Sequence, residues 1–405
     1  MDLGFEGGFT VLRNSINEKI HPKWIPDSIV NGNWVRLPRT FFETLFANDI
    51  QRAAKASWVP YFSKESDRSN LFQLNSIVDL VKRHRQGNFE FPEADIVTGG
   101  FPCQDFSVAG KRKGFDSHKG HHGEILSEGD NPTEENRGKL YMWMRHVIDI
   151  VRPKVFIAEN VKGLVSLPNV KKIIEQDFSE IGSGYHVVDA KLLFAPMYGV
   201  PQSRERVIFM GFRKDALLAD ALEALSKEVI PAEYDPYPIQ THGTKEQSDY
   251  EKNNLVPYVT VGDYLLDLPE PEASLDLAHQ TYSKAKWYGK HCQGQTEVNL
   301  EGIGPTIRAE HHGNIEFRRL HPEHGGRYQH EFNANLTERR LSVRECARIQ
   351  TFPDDFEFVR RQSALGADFK ISGSEAYKLI GNAVPPLLAF HIAWRLQEIW
   401  PKLMK

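Results

Sequence analysis

The sequence predicts an α/β protein on a doubly wound, mostly parallel sheet, with a smaller, irregular β-rich domain inserted late in the chain. Two observations carry this. Over the first two hundred residues, short apolar or β-branched runs alternate with longer amphipathic stretches, the pattern of strands and crossover helices in a parallel sheet. From about residue 216 the alternation gives way to proline-rich, polar sequence, and helical periodicity returns only at 341–350.

In chain order, "ADIVTGG" (94–100) reads as a strand running into glycines, and "LYMWMRHVIDIV" (140–151) as a helix with Leu140, Trp143, Met144, Val147 and Ile148 on one side. "KVFIAENV" (154–161) is a second buried strand and "VKKIIEQDFSEI" (170–181) the helix after it. "HVVDAKLLFA" (186–195) and "RVIFMGFR" (206–213) give two further strands, followed by a helix-like "DALLADALEALSKEV". Short, mixed β-like segments continue to about 335. "LSVRECARIQ" (341–350) and the stretch after "LIGNAVPP" (379–386) are helical. In such sheets ligands bind beyond the carboxyl ends of the strands. Asp49, Cys103, Glu159 and Asn160 follow or end strands and so become the residues of interest.

The 405 residues are 40% hydrophobic and 26% charged, as in an ordinary globular protein of two domains or one domain with a large insertion. Three cysteines (Cys103, Cys292, Cys346) do not pair evenly and none belongs to a zinc-type cluster, so a reducing compartment and no metal are expected. No apolar run approaches the roughly 20 residues of a membrane span, and no secretory pattern opens the chain. A soluble intracellular protein is expected. The net charge of −4 neither advertises nor excludes nucleic-acid binding. Local fields decide that, and basic residues do bunch at 82–85, 111–115, 204–207 and 339–348.

In "GGFPCQDFS" (99–107), Cys103 sits in a glycine–proline turn beyond a strand. A thiol so placed is either a small turn residue or a nucleophile whose thiolate is favoured by helix termini and basic groups. Glu159, at the end of a buried strand, is either a capping or ion-paired carboxylate or a group able to share a proton. "PQSRERV" (201–207) aims Gln202, Arg204 and Arg206 one way if extended. Three such donors suit a phosphate or a base edge, or else lie on a solvated edge strand. "GFEGGF" (4–9) reads as a glycine-rich turn, and Asp49 in "LFANDI" (45–50) suits ribose hydroxyls. No lysine-bearing phosphate loop accompanies them, which points to a nucleoside without a triphosphate.

These segments, with "NRGKLY", "ENVKGL" and "RRLSVRECARIQTFPD", resemble the cytosine-5 DNA methyltransferase family and occur in its order. The resemblance implies a Rossmann-like S-adenosylmethionine-dependent methyltransferase fold. It implies that Cys103 is the nucleophile, that Glu159 and Asn160 hold the target base, and that Arg204 and Arg206 orient the base and its neighbours. It implies S-adenosyl-L-methionine bound by Gly4, Gly7, Gly8, Phe9, Asp49, Ile50, Pro102, Leu140 and Asn382. The chain would divide into a first catalytic part (1–215), a target-recognition domain (216–345) and a return segment (346–405). The implied partner is double-stranded DNA, with the target cytosine flipped out. A cognate restriction endonuclease, a monomeric state and a bacterial cytoplasmic location follow from the same resemblance.

The chain departs from the family pattern at five places. Phe5 stands where a glycine is usual, and Met1 leaves almost no residues for a first strand. Ser76 replaces an aspartate for the adenine amine, and extra sequence occupies about 15–40. The segment 104–136 is long, and its His118, His121 and His122 read as part of a solvated loop. Residues 304–319 offer Arg, His and Asn for phosphates or base edges. A tRNA cytosine-5 methyltransferase and a DNA-binding relative without activity are the other readings, the second motivated by Phe5 and Ser76.

Overall fold

A computed structural model of the chain describes residues 1–25, 29–101, 141–166, 169–288, 294–309, 315–361 and 370–405. Pro102, Cys103, Leu140 and the histidines at 118, 121 and 122 lie outside the described residues.

The chain begins with a short helix, α1 (Asp2–Glu6), then β1 (Thr10–Leu12), β2 (Ile29–Asn31) and β3 (Trp34–Arg36), an antiparallel sheet in the order β1-β3-β2. The extra sequence at 15–40 thus includes a hairpin. β4 (Ala47–Asn48), α2 (Arg52–Phe62) and β5 (Phe72–Gln73) form a strand–helix–strand unit in which β4 and β5 pair in parallel. α3 (Ile77–Arg85) starts at Ser76, whose hydroxyl accepts from the Val78 N–H. Ser76 is therefore a helix cap, the role short hydroxyl side chains fill best.

β6 (Ile96–Gly100), α4 (Tyr141–Val151), β7 (Val155–Val161), α5 (Val170–Ser179), β8 (Tyr185–Phe194) and β9 (Glu205–Arg213) then build a four-stranded sheet in the order β6-β7-β9-β8. Its alternating side chains divide between two cores. Phe156, Ala158, Val207 and Phe209 pack under α4 and α5 with Met144, Ile148, Ile174 and Phe178. Val155, Ile157, Ile208 and Met210 face the opposite core. A sheet covered on both faces is the doubly wound arrangement the sequence predicts.

Three expectations change. The four-stranded sheet is mixed: β6 and β7 are parallel, but β9 runs antiparallel to both neighbours. A 3₁₀ turn at Ala195–Tyr198 joins β8 to β9 where a parallel pair needs a longer crossover. The helix read from 215–229 shrinks to α6 (Ala219–Leu225), because Leu217 forms a bridge with Met404 and the Leu218 N–H donates to Leu403. The first half of "GFEGGF", Gly4 to Glu6, belongs to helix α1, and the turn is confined to Gly7 and Gly8, both at φ 70°.

The described residues between α6 and position 335 hold little strand: the parallel pair β10 (His242–Gly243) and β11 (Val256–Pro257), and β12 (Phe317–Arg319). Short helices α7 (Val261–Leu265), α8 (Leu277–Gln280) and α9 (Gln329–Asn333) accompany them. Buried ion pairs do much of the holding here. Arg318 and Arg319 meet Glu331, and Arg319 also meets Glu270. β13 (Arg339–Arg340) pairs with β12, and Arg339 reaches Glu345 and Glu270. These contacts hold Glu270 down at a pKa of about 2, the two arginines outweighing its burial. Such a stretch is charge-rich yet internal, which explains why its periodicity is unreadable.

α10 (Val343–Ile349) opens on a capping box of Ser342 and Glu345. α11 (Gly373–Asn382) ends beside α12 (Pro386–Leu403), which has proline in its first turn. α12 returns to pack on α1. Gly4 makes that approach possible, since a Cβ there would lie 2.4 Å from the Ala389 Cβ and 2.5 Å from the Pro386 carbonyl.

Candidate active site

β7 carries Glu159 opposite Gly100, the last residue of β6. The two lie so close that a Cβ on Gly100 would come within 3.0 Å of Glu159 Oε2. The antiparallel course of β9 brings Arg206 opposite Val161, on the same sheet face as Glu159 and two pairs along. The guanidinium and the carboxylate form an ion pair with side chains 9% and 12% exposed. Two charges taken from water this far are tolerable only together. The sheet thus places a paired carboxylate where the chain leaves β6 toward Cys103.

Asn160, 1% exposed, points to the other face. Its side-chain N–H donates to the Phe101 carbonyl at 3.2 Å, and its oxygen accepts from the Val161 N–H at 2.8 Å. Asn160 therefore positions the exit of β6.

The three donors read from "PQSRERV" do not converge on an open site. Gln202 and Arg204 are fully buried. Arg204 donates to the carbonyls of Ile307 (2.9 Å), Gly381 (2.7 Å) and Ala383 (2.7 Å), bracketing Asn382. Gln202 donates to Gln350 and accepts from the Ile307 N–H at 3.0 Å. Neither a phosphate cradle nor a solvated edge describes them. They lock the end of α11 to the sheet, and Arg206 alone reaches the acidic residue.

A cavity of about 900 Å³ opens beside β6. Asp49, Asn382, Gly99, Gly100 and Phe101 line its end near the strands' carboxyl termini. Burial raises the Asp49 carboxyl above its usual range, and the Gln51 N–H, donating to it at 2.8 Å, works against that rise. Sequence reasoning missed Gln51; the Asx turn that Asp makes two residues before a helix start was the available signal. Ile50 is 51% exposed and does not line the cavity.

Nor do Gly4, Gly7, Gly8 and Phe9. Gly4 packs on α12, and Gly7, at φ 70°, ends α1 against the Pro38 carbonyl. Gly8 lies against Arg39, and Phe9, 1% exposed, meets Phe390 edge-on. Gly4 and Phe9 thus join the start of the chain to α12, while Gly7 and Gly8 pack on Pro38 and Arg39. The Asp49–Asn382 end of the cavity has donors and an acid of the kind that suit S-adenosyl-L-methionine, but the described glycines supply no loop there.

The comparisons with known proteins add the chemistry. Residues 31–398 match the family "C-5 cytosine-specific DNA methylase". Type II methyltransferase M.BspRI of Lysinibacillus sphaericus is 31% identical over 370 residues, covering 90% of this chain and 72% of that protein. Type II methyltransferase M.FnuDI of Fusobacterium nucleatum is 30% identical over 382 residues, covering 89% of each. Type II methyltransferase M.HhaI of Haemophilus parahaemolyticus is 28% identical over 310 residues, covering 75% of this chain and 76% of that protein.

Fold and comparisons define an α/β methyltransferase built on a sheet covered on both faces. The chain belongs to the C-5 cytosine-specific DNA methylase family. It is a DNA (cytosine-5-)-methyltransferase of the Type II restriction–modification kind, a family that acts on double-stranded DNA with S-adenosyl-L-methionine as cofactor. No helix among the described residues is long and apolar enough to cross a membrane.

Proposed function

We propose that the chain methylates carbon 5 of a cytosine flipped out of a specific duplex sequence, through a covalent adduct on Cys103. The observation that carries this reading is the Glu159–Arg206 ion pair facing the end of β6, from which the chain runs on to Cys103. The cofactor supplies an electrophilic methyl group when bound, and Asp49 and Asn382 are the described residues proposed to hold it. Carbon 5 of cytosine is a poor nucleophile on its own. The Cys103 sulfur forms a bond to carbon 6, and the electrons of the ring double bond move to carbon 5. Glu159 accepts from the exocyclic amine and shares a proton with ring nitrogen 3, while Arg206 fixes its carboxylate. Once carbon 5 is methylated, water or hydroxide removes its hydrogen as a proton. The thiolate then leaves and the aromatic ring returns, so one prohibitive step becomes two accessible ones.

In the same reading, 216–345 recognises the DNA site, and 1–215 with 346–405 forms the catalytic part. The enzyme is a monomer in a bacterial cytoplasm and protects DNA from a cognate endonuclease. The test is incubation with methyl-labelled S-adenosyl-L-methionine and either duplex DNA or tRNA, with bisulfite mapping of the product. Label at a recurrent cytosine in DNA is expected. Label in tRNA alone would replace the DNA assignment with the tRNA one.

A further inference from the structure

The sequence holds seven tryptophans, and all but one are buried or partly buried. The exception is Trp287, 64% exposed. A single exposed apolar residue is ordinary by itself. Trp287 differs in how firmly its backbone is held. Arg340, 1% exposed, donates to the Trp287 carbonyl at 3.1 Å and to the Ala285 carbonyl at 2.7 Å. The same guanidinium donates to the carbonyls of Gly294 and Ile315 and lies 4.0 Å from the centroid of the Phe317 ring. On the other side, the Tyr288 ring stacks on His324 at 3.7 Å, and its hydroxyl donates to Glu338 at 2.6 Å. A bare indole thus stands on a backbone fixed before and after it. Little conformational entropy is left to lose when it is covered.

Charge around the indole is one-sided. Arg318, Arg319 and Arg339 are all paired with glutamates. No carboxylate among the described residues forms an ion pair with Arg340, and Glu316 and Glu338 act on it only at longer range. Glu338 is itself engaged by the Tyr288 hydroxyl, the His321 N–H and His324. Lys284 and Lys286 are exposed and without a carboxylate partner among the described residues, the Lys284 ammonium lying 3.5 Å from the Tyr282 ring centroid. The stretch that Arg340 gathers is joined to the catalytic sheet: the Ser203 N–H donates to Gly304, and Arg204 to Ile307, just before Arg206.

We propose that Trp287 is a DNA-contact residue, its indole packed on the sugar–base surface of the bound duplex with Lys284 and Lys286 on the adjacent phosphates. This rests on the reading that 216–345 recognises DNA and names a contact by which it does so. A flat aromatic surface beside uncompensated cations fits a polyanion that also offers flat apolar faces. A ligand of phosphate alone would leave the indole in water. An apolar protein surface would leave the lysines without counter-charge.

The test uses the full chain and a short duplex around the cytosine that bisulfite mapping identifies. Acrylamide quenches exposed indoles first, so in the free chain it reports Trp287 above the other tryptophans. The duplex is expected to shield that emission, and Trp287→Phe to remove the quenchable component from the free chain. Trp287→Ala should raise KM for the duplex about tenfold, the order expected for one lost aromatic stack, with its urea midpoint unchanged. Trp287→Phe should keep most of the affinity. Lys284→Met and Lys286→Met should each reduce the slope of log affinity against log salt by about one. Emission that stays fully quenchable in the duplex complex overturns the proposal, and so does a Trp287→Ala variant with the KM of the unaltered chain. Methylation of the duplex by the unaltered chain reports the reaction itself, so this contact and the proposed reaction fail on different measurements.

Discussion

The Asn160 side-chain N–H donates to the Phe101 carbonyl at 3.2 Å, tying β7 to the residue at which β6 leaves the sheet. Two positions later comes Cys103. The neighbouring Glu159 belongs to the opposite face, so consecutive residues of one strand serve the two halves of the site. In the proposed reaction, one fixes the approach of the nucleophile and the other presents a carboxylate. Replacing Asn160 with Asp removes the donor and leaves the Phe101 carbonyl without it. An unmade buried hydrogen bond costs about 1–3 kcal/mol. Asn160→Asp is therefore expected to lower kcat roughly 10- to 100-fold, measured by steady-state methylation, with DNA affinity nearly unchanged.

The Glu159–Arg206 pair makes a different prediction. Glu159→Gln leaves a guanidinium without its counter-ion, and Arg206→Met leaves a carboxylate. Breaking a buried pair from one side costs about 3–5 kcal/mol. The double variant should recover much of that loss in urea denaturation. Activity should not recover with it, because the general acid–base contribution proposed for Glu159, about 100-fold or more, is lost in Glu159→Gln and in the double variant alike.

Arg204 anchors three carbonyls around Asn382. Arg204→Met is expected to destabilise the chain by at least about 3 kcal/mol, since several buried acceptors lose a charged donor. Weaker S-adenosyl-L-methionine binding should accompany the loss, read by calorimetry under conditions where the variant remains folded.

Gly4 lets α1 meet α12. Gly4→Ala should lower the unfolding midpoint markedly, because overpacking costs about 1–3 kcal/mol and here both neighbours are close backbone and Cβ atoms.

Stability should also fall with mild acid. Burial lowers the imidazole pKa of His21 and of His242 to about 4, and that of His391 well below its usual value. His21 stacks on Trp24 at 3.9 Å and meets His391 at 5.4 Å, so the rings are packed neutral in the core. Between about pH 6.5 and pH 4 the unfolded chain binds protons that the folded chain refuses. Stability contributed by these residues is present above pH 6.5 and declines through that window, by up to about 1.4 kcal/mol per histidine per unit. Urea midpoints at pH 7 and pH 5 check this. His242→Gln should flatten the difference.

The β6–β9 sheet was legible in the sequence because its strands are continuous apolar runs and its helices have one apolar side. Glu159 and Asn160 were legible as residues ending such a run. The partners of Arg204 were not, because Ile307, Gly381 and Ala383 lie far along the chain and offer only carbonyls. The glycines at 4–8 misled for a related reason. Glycine marks any close backbone approach, and here Gly4 meets α12 while Gly7 and Gly8 meet Pro38 and Arg39. The stretch from 216 to 335 resisted reading because buried arginine–glutamate pairs replace the apolar periodicity on which such readings depend.

The central claim, that Cys103 adds to carbon 6 of the target cytosine, is tested most directly with duplex DNA carrying tritium at carbon 5 of its cytosines. Addition makes carbon 5 exchange its hydrogen with water even without a methyl donor. The account predicts tritium release by the unaltered chain and none above background by Cys103→Ser. Release by Cys103→Ser at the rate of the unaltered chain would contradict it.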